Sequence, residues 1–485
     1  MFRRLIRDIL IYGVAGVSGM ALQLLLMPLY VRLLGPSDFG VIDMLMVAGT
    51  FVNLTAALEI TQSVARFCPA AESQAERQQF ASTALWFSLV GYSGFVLAAL
   101  ACSQWLSPWL VGEAAGSHVF AAGAVAIFAG GLAYVARNQL RWDLKPHQHA
   151  VSGVLQVLLT HGCAVLLVTV GQMGVLGVLL GQILGNAAAA MLAIWWSRSS
   201  YRLAFHWHKL REMLAFSLPL VPSGIGVFAA LYIDRICIRE LMTLEDVGRY
   251  GIAYRLASVM ALFTLAFQSA LGPLIYAHYR EPNTPLTIAR AFKYFSFLAA
   301  GGILLLGLFA RELLTLLATP TYLAVTPLVG LLAAANTLNS MSTFTPGLGI
   351  AKKTKTIALI NLFAAGLNTL LNLLLIPPLG LFGAALATLC AALVRCIWNF
   401  AASQAVYPIP HDWKKPLAAI VVTGLLLVAT ATWSPASAPT LTTLALKVVT
   451  LAVATLGFAW WIIGSTELQA GLGFAVSQIR ARRSR

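Results

Sequence analysis

The sequence predicts an all-α polytopic membrane protein of about 14 transmembrane helices, and three observations carry that prediction. First, 59% of the 485 residues are hydrophobic and only 10% are charged. The mean hydropathy is +0.82, which leaves too little polar surface for a soluble chain of this length. Second, apolar windows of about 20 residues recur from end to end, each long enough to cross a hydrocarbon core of about 30 Å. They lack polar alternation, and a backbone in lipid must satisfy its own hydrogen bonds, so they read as helices rather than barrel strands. Third, Lys and Arg gather in alternate loops, as the positive-inside rule requires.

In order, the spans lie at approximately 8–33, 40–65, 81–103, 118–140, 150–170, 174–197 and 212–238. They continue at approximately 247–273, 292–312, 324–346, 357–377, 380–403, 416–434 and 441–464. The first begins "MFRRLIRDILIYGVAGVSGM", with the basic head of a signal peptide. Its apolar stretch runs on to Leu34 without a small-residue cleavage site, so a retained helix is expected. Basic clusters punctuate the spans in pairs: Arg3/Arg4/Arg7, Arg66/Arg77, Arg137/Arg141/Lys145 and Arg198/Arg202/Lys209/Arg211. The second half repeats the rhythm at Arg280/Arg290/Lys293, Lys352/Lys353/Lys355, Lys414/Lys415 and Arg480/Arg482/Arg483/Arg485. All fall on one side, which places both termini in the cytoplasm.

The formal charge of +15 is therefore explained by topology. No basic patch is interleaved with exposed aromatics, so nucleic acid is not an expected partner. The six cysteines (Cys68, Cys102, Cys163, Cys237, Cys390, Cys396) lie in or beside apolar segments without a CxxC pair, and read as small buried hydrophobes. No loop is long enough to fold as a domain, which argues against a membrane polymerase or ligase and against any enzyme. "GLGIAKKT" (Gly347–Thr354) echoes a phosphate-binding loop, but Lys352 stands where the second glycine belongs and the flanks are membrane helices. No cofactor or metal is expected.

An internal repeat organises the spans. "LGPSDFG" (Leu34–Gly40) corresponds to "MTLEDVG" (Met242–Gly248), and at the same offset "RRLIRDILIYGVAG" (Arg3–Gly16) runs beside "REMLAFSLPLVPSG" (Arg211–Gly224). The shared Asp38/Asp246 and Gly40/Gly248 are expected in a short outer loop after the first helix of each copy. Six helices separate the copies, so the halves are parallel, related by an axis along the membrane normal. The expected organisation is a six-helix bundle at 1–205, a second at 206–405, and two further helices with a basic tail at 406–485. Two such bundles around a cavity suit alternating access.

Several stretches resemble one family. They are "PLYVRLLGPSDFGVIDML" (Pro28–Leu45), "ALEITQSVARF" (Ala57–Phe67), "LPLVPSGIGVFAALYIDRICI" (Leu218–Ile238), "LEDVGRYGIAYRLASV" (Leu244–Val259) and "NLFAAGLNTLLNLLLIPPLGLFGAALATL" (Asn361–Leu389). Each is weak alone, but their order and spacing resemble the Wzx-type polysaccharide biosynthesis flippases of the MOP transporter superfamily. The resemblance covers most of the first twelve helices and implies a MATE/MOP-like fold. It implies translocation of an undecaprenyl-pyrophosphate-linked oligosaccharide, a unit of exopolysaccharide, capsule or O-antigen, across the bacterial inner membrane. Implied partners are this lipid-linked glycan, membrane lipids and a glycan polymerase with its export machinery. A coupling ion, proton or sodium, is left open.

The stretch "LYIDRICIRELMTLEDVGRYGIAYR" (Leu231–Arg255) concentrates charge in an otherwise apolar chain. An ionisable group in mid-bilayer costs at least about 2.5–3.5 kcal/mol and usually faces a cavity or a partner. Arg235 and Arg255, with Arg32 at a comparable depth, are expected to converge in the outer half of one cationic cavity, where guanidinium forks suit a pyrophosphate. Tyr250 and Tyr254 share a helix face and offer stacking or hydrogen bonds to sugars. The alternative is that Asp234 pairs with Arg235 or Arg255 and joins two helices. Arg239 and Arg249, nearer the interface, are further substrate-binding candidates with snorkelling as the alternative, and Asp234 is also a candidate for gating or coupling.

Glu59 and Arg66 lie on one face of the second span, as a gate ion pair, a proton- or cation-sensitive carboxylate, or a helix-end pair. Pro219 and Pro222 interrupt the seventh span, as a hinge or a static kink. His161 reads as a hydrogen-bonded core histidine, with a titrating group as the alternative, and the amides Gln23, Asn53, Gln62, Gln268, Asn336 and Asn339 as interhelical glue before sugar ligands. Two other transporters compete: a MATE-type cation-coupled multidrug antiporter, whose drugs a cationic cavity would repel, and a lipid II flippase.

Overall fold

The structure, a computed structural model, describes residues 22, 25–113, 116–431 and 441–464. The first span up to residue 21, Gln23 and the basic tail after residue 464 lie outside the described residues. Every regular element among the described residues is helical. Ten of the described segments are long and apolar enough to cross a membrane, and one of these supplies two of the expected spans.

The apolar windows become helices where expected. Residues 25–33 are the described part of α1. Then follow α2 (Pro36–Thr55), α3 (Ile60–Ala70), α4 (Gln74–Ala101), α5 (Ser103–Leu110), α6 (Gly116–Trp142), α7 (Pro146–Thr169) and α8 (Gly174–Trp196). Their starts are legible. Proline opens α2 and α7, where its missing N–H costs nothing, and the Ser73 hydroxyl accepts from the Glu76 N–H (3.1 Å) ahead of α4. The expected span at 40–65 is instead two helices. Leu58 and Glu59 take left-handed φ angles of 45° and 54° between α2 and α3, and neither glycine nor proline marks the break.

The seventh span is also divided, into α9 (Trp207–Ser217) and α10 (Val221–Leu241), with a 3-10 turn at Leu218–Leu220. Pro219 lies in that turn and Pro222 in the first turn of α10. The eighth span breaks at Ser258 between α11 (Leu244–Ala257) and α12 (Val259–His278). Beyond it lie α13 (Thr284–Leu308), α14 (Ala310–Leu317), α15 (Thr326–Ser340), the single turn α16 (Gly347–Ile350), α17 (Thr354–Gln404), α18 (Lys414–Ala431) and α19 (Leu441–Phe458). α17 holds two expected spans that meet at Gly380 (φ 58°, ψ −139°), directly after Pro377 and Pro378. Only glycine adopts that backbone without strain.

The described residues form two compact units, one within residues 1–251 together with 317–319, the other within residues 252–316 and 320–485. In the first, Ile60, Val64, Phe80, Tyr92 and Met213 form a buried core. α7 and α8 approach closely through a small-residue stripe, where Gly181 and Gly185 lie against the Thr160–Ala164 backbone. Arg137 donates to Gln156 and Gln156 to Asn186 (2.6 Å), a polar chain joining α6, α7 and α8. At the basic end Asp143 gathers Arg77 (3.3 Å), Lys145 (4.0 Å), the Ser200 hydroxyl (2.8 Å) and the Gln139 amide (2.9 Å). All six cysteines are free, and burial pushes the Cys68 thiol up to about 12.

In the second unit, Leu304, Leu308, Phe458 and Ile462 pack α13 against the C-terminal helices. A part-buried ion pair, Lys447 Nζ to Glu312 Oε1 at 2.6 Å, joins α19 to α14. The loop before α18 inserts His411 among Phe292 (4.7 Å), Phe400 (5.4 Å) and Trp413 (5.6 Å). Burial lowers its imidazole from the usual 6.5 to about 4, against a hydrogen bond to the Phe344 carbonyl that favours the cation. The unfolded chain therefore binds a proton between these values that the folded chain refuses. The stability is complete above pH 6.5 and is lost as pH falls through 4. His411→Phe, which keeps an aromatic ring in the cluster, is expected to flatten the fall in melting temperature over that window. Parallel acid-side declines in the two proteins would contradict this.

Candidate functional site

Four side chains of the charged stretch and its surroundings are buried together in the first unit: Asp43 from α2, Asp234 and Arg235 from α10, and Tyr250 from α11. Arg235 is only 2% exposed. Its guanidinium lies 3.3 Å from Asp234 Oδ1 and 3.7 Å from Asp43 Oδ2. The Tyr250 hydroxyl donates to Asp234 Oδ2 at 2.6 Å, and the rings of Tyr232 and Tyr250 stand 5.6 and 5.7 Å from the Arg235 carbon. Charges taken out of water require such partners. The cluster thus ties α2, α10 and α11 into one body.

The neighbouring arginines are engaged separately. Arg239 donates to the carbonyls of Trp109 (2.7 Å) and Pro108 (2.9 Å) at the C-terminal end of α5, where a cation also suits the helix dipole. The Trp109 indole donates to Glu240. Arg249 pairs within its own helix with Glu245 (2.6 Å) and Asp246 (3.3 Å). Arg32 is exposed on α1, whereas Tyr254 and Arg255 are half-buried in the second unit's part of α11.

The repeat motif is helical where an outer loop was expected. Asp38 and Asp246 lie in the first turns of α2 and α11 because each caps its helix. Asp38 Oδ2 accepts from the Gly35 N–H (3.0 Å), and Asp246 accepts from the Thr243 hydroxyl (2.6 Å), which in turn accepts from the Asp246 N–H (3.2 Å). The two copies pack reciprocally. A Cβ on Gly40 would strike the Leu244 carbonyl, and one on Gly248 the Pro36 carbonyl.

A cavity of about 410 Å³ in the first unit is lined by Thr50, Asn53, Glu59, Tyr92, Tyr134 and Tyr232, among others. Glu59 is the one charged side chain in its lining, so the arginine convergence expected from sequence is not a feature of this cavity. Glu59 also does not share a helix with Arg66. It precedes α3 in the left-handed conformation, and the Arg66 guanidinium lies over Phe216 (5.0 Å) and Phe67 (5.8 Å). Asn53 accepts from the Tyr92 hydroxyl (2.6 Å). His161 and Tyr30 meet at 3.2 Å, joining α1 to α7. The second unit has its own cavity of about 710 Å³, apolar over most of its wall (Ile303, Leu331, Ile420, Leu427) but including Arg311 and Lys447.

The sequence profile of the polysaccharide biosynthesis protein family matches residues 29–327. The chain belongs to this family. The matched residues contain the whole buried ion cluster, the first unit's cavity and both copies of the repeat motif. No curated protein matches the chain in sequence. Among solved structures, the family member is similar in fold to the lipid II flippase MurJ in an inward closed conformation. The TM-score is 0.70 at 12% identity, over 93% of this chain and 98% of that one. It is similar also to an inward-facing multidrug resistance MATE transporter of the MOP superfamily, with a TM-score of 0.63 at 17% identity over 82% and 98% of the two chains. The outward-facing MATE conformation gives 0.57 at 16% identity, over 81% of this chain and 93% of that one. The family member is thus a multi-pass membrane protein with a MurJ/MATE-like fold.

Two partners were missed by sequence reasoning. Asp43 sits in "GVIDMLMVAG" and Lys447 in "LALKVVTLAV", each a lone charge in an apolar window. That solitude is itself the signal of a buried partner.

Proposed function

We propose that this chain is a flippase that moves a polyprenyl-pyrophosphate-linked oligosaccharide from the cytoplasmic to the outer leaflet of the bacterial inner membrane by alternating access. The observation that carries the reading is the first unit's cavity in a polysaccharide biosynthesis family member. It is lined by tyrosines, threonines and an amide, as sugar hydroxyls require. The MurJ likeness supports the same class of amphiphilic cargo. In this reading the Asp43–Arg235–Asp234 cluster is the place for gating or for coupling to a proton or sodium ion, and both termini are cytoplasmic.

A second reading is favoured by one observation. A carboxylate among tyrosines also suits an organic cation, the cargo of a multidrug antiporter. Deleting the gene separates the two. The flippase reading expects lipid-linked repeat units to accumulate in the inner leaflet and surface polysaccharide to disappear, with re-expression restoring both. Unchanged surface polysaccharide together with lost efflux of cationic dyes would establish the antiporter instead.

A further inference from the structure

The first unit's cavity carries a specificity element. We propose that it holds a sugar ring of the substrate and that Glu59 sorts substrates by charge, accepting neutral and amine-bearing sugars and rejecting uronic acids. The proposal rests on the flippase reading. Three observations converge on it.

The first is size and lining. About 410 Å³ falls within the roughly 300–1,000 Å³ of small-ligand pockets. Tyr134 and Tyr232 stand in its lining, and a tyrosine combines an apolar ring face with a hydrogen-bonding hydroxyl, the two kinds of contact a sugar ring takes. The second is preorganisation. The Tyr92 hydroxyl donates to Asn53 Oδ1 at 2.6 Å, which fixes the amide so that its N–H₂ donors are turned to other partners.

The third is the placement of Glu59. Leu58 and Glu59 are consecutive non-glycine residues at φ 45° and 54°, a region that L-residues seldom occupy and that clusters at functional sites. The break they create ends the run begun by α2 and leaves the Glu59 carboxylate on the cavity wall instead of on a helix face with Arg66. Among the described residues Glu59 forms no ion pair, whereas every acid of the nearby cluster lies against a cation. A carboxylate kept without a counter-ion in a pocket of neutral donors attracts an ammonium, accepts from sugar hydroxyls, and repels a second carboxylate.

The test uses the full chain in nanodiscs of phosphatidylethanolamine and phosphatidylglycerol. The probes are three synthetic polyprenyl pyrophosphates bearing N-acetylglucosamine, glucosamine or glucuronic acid, with dissociation constants read by native mass spectrometry. Wild type is expected to bind the neutral and amine-bearing lipids at least about tenfold more tightly than the uronate. Glu59→Gln keeps the size of the side chain and should bring the three within about twofold. Asn53→Asp keeps an acceptor for Tyr92, adds a carboxylate and should widen the gap. Equal binding of all three by wild type, or unchanged discrimination in Glu59→Gln, overturns the proposal. If Glu59→Gln preserves discrimination but removes the pH dependence of binding, the carboxylate is a coupling group and the proposal fails. Should none of the lipids bind, the flippase reading fails and this inference with it.

Discussion

Replacing Arg235 with methionine is expected to destabilise the protein by about 3–5 kcal/mol. The substitution removes the positive charge from between Asp43 and Asp234, both almost wholly buried. A carboxylate stranded in a low-dielectric interior is more costly than the pair was stabilising. The expected readout is a large fall in melting temperature for detergent-solubilised protein, with a smaller fall for Arg235→Lys, which keeps the charge but loses the fork. The triple variant Asp43→Asn, Asp234→Asn, Arg235→Met removes all three charges and is expected to recover most of the loss, because the neutral cluster has no stranded ion. A role confined to substrate binding makes the opposite prediction, in which Arg235→Met abolishes export with an unchanged melting temperature. Asp43 supplies the decisive contrast, since Asp43→Ala should lower stability comparably although the residue lines neither cavity.

How far the sequence could be read follows from the range of each interaction. The membrane class, the spans and the repeat are local or periodic properties. Hydrophobic run length, Lys/Arg spacing and the Asp38/Asp246 register survive in one dimension, and the family match is consistent with the motif order. The breaks were legible only where a special residue causes them. Gly380, after two prolines, divides α17 where two spans were expected to meet, and Pro219 lies within the 3-10 turn before α10, with Pro222 in the first turn that follows. Leu58 and Glu59 turn left-handed without glycine, so "TAALEIT" reads as helix. Tertiary packing imposes that turn.

The site was less legible for a different reason. Sequence offered Asp234 as a partner for Arg235 and put Tyr250 on the next helix, and the structure brings the three together. The third-helix partner, Asp43, lies nearly two hundred residues away in the chain and no local rule links it to Arg235. Pairing across that distance also explains why an array of arginines is not an array of available cations. Arg235, Arg239 and Arg249 each meet different acceptors on different elements. Charge density in sequence sets how many ion pairs are needed, and only the fold decides which guanidinium is left for a ligand.

The reciprocal contact of the repeat motifs gives the second large effect. Gly40→Ala and Gly248→Ala are each expected to cost about 3 kcal/mol, because the new Cβ meets a backbone carbonyl, Leu244 in one case and Pro36 in the other. A side chain could rotate away, but a carbonyl fixed in the first turn of a helix can yield only by moving the helix. Gly162→Ala on α7 is the control. A Cβ there meets nothing within 4 Å, so alanine should change stability by no more than about 0.5 kcal/mol. The local consequence is readable at a native thiol. Cys237 on α10 is 5% exposed, and separating α11 from α2 loosens the ion cluster that packs α10 between them. Maleimide labelling of Cys237, followed by peptide mass spectrometry, should therefore rise in both motif variants. Buried Cys396 in the second unit should stay unlabelled. If both alanine variants label and melt like wild type, the two motifs do not hold this end of the first unit together. If only melting falls while Cys237 stays protected, the contact stabilises its own two helix starts and not the charged cluster beneath them.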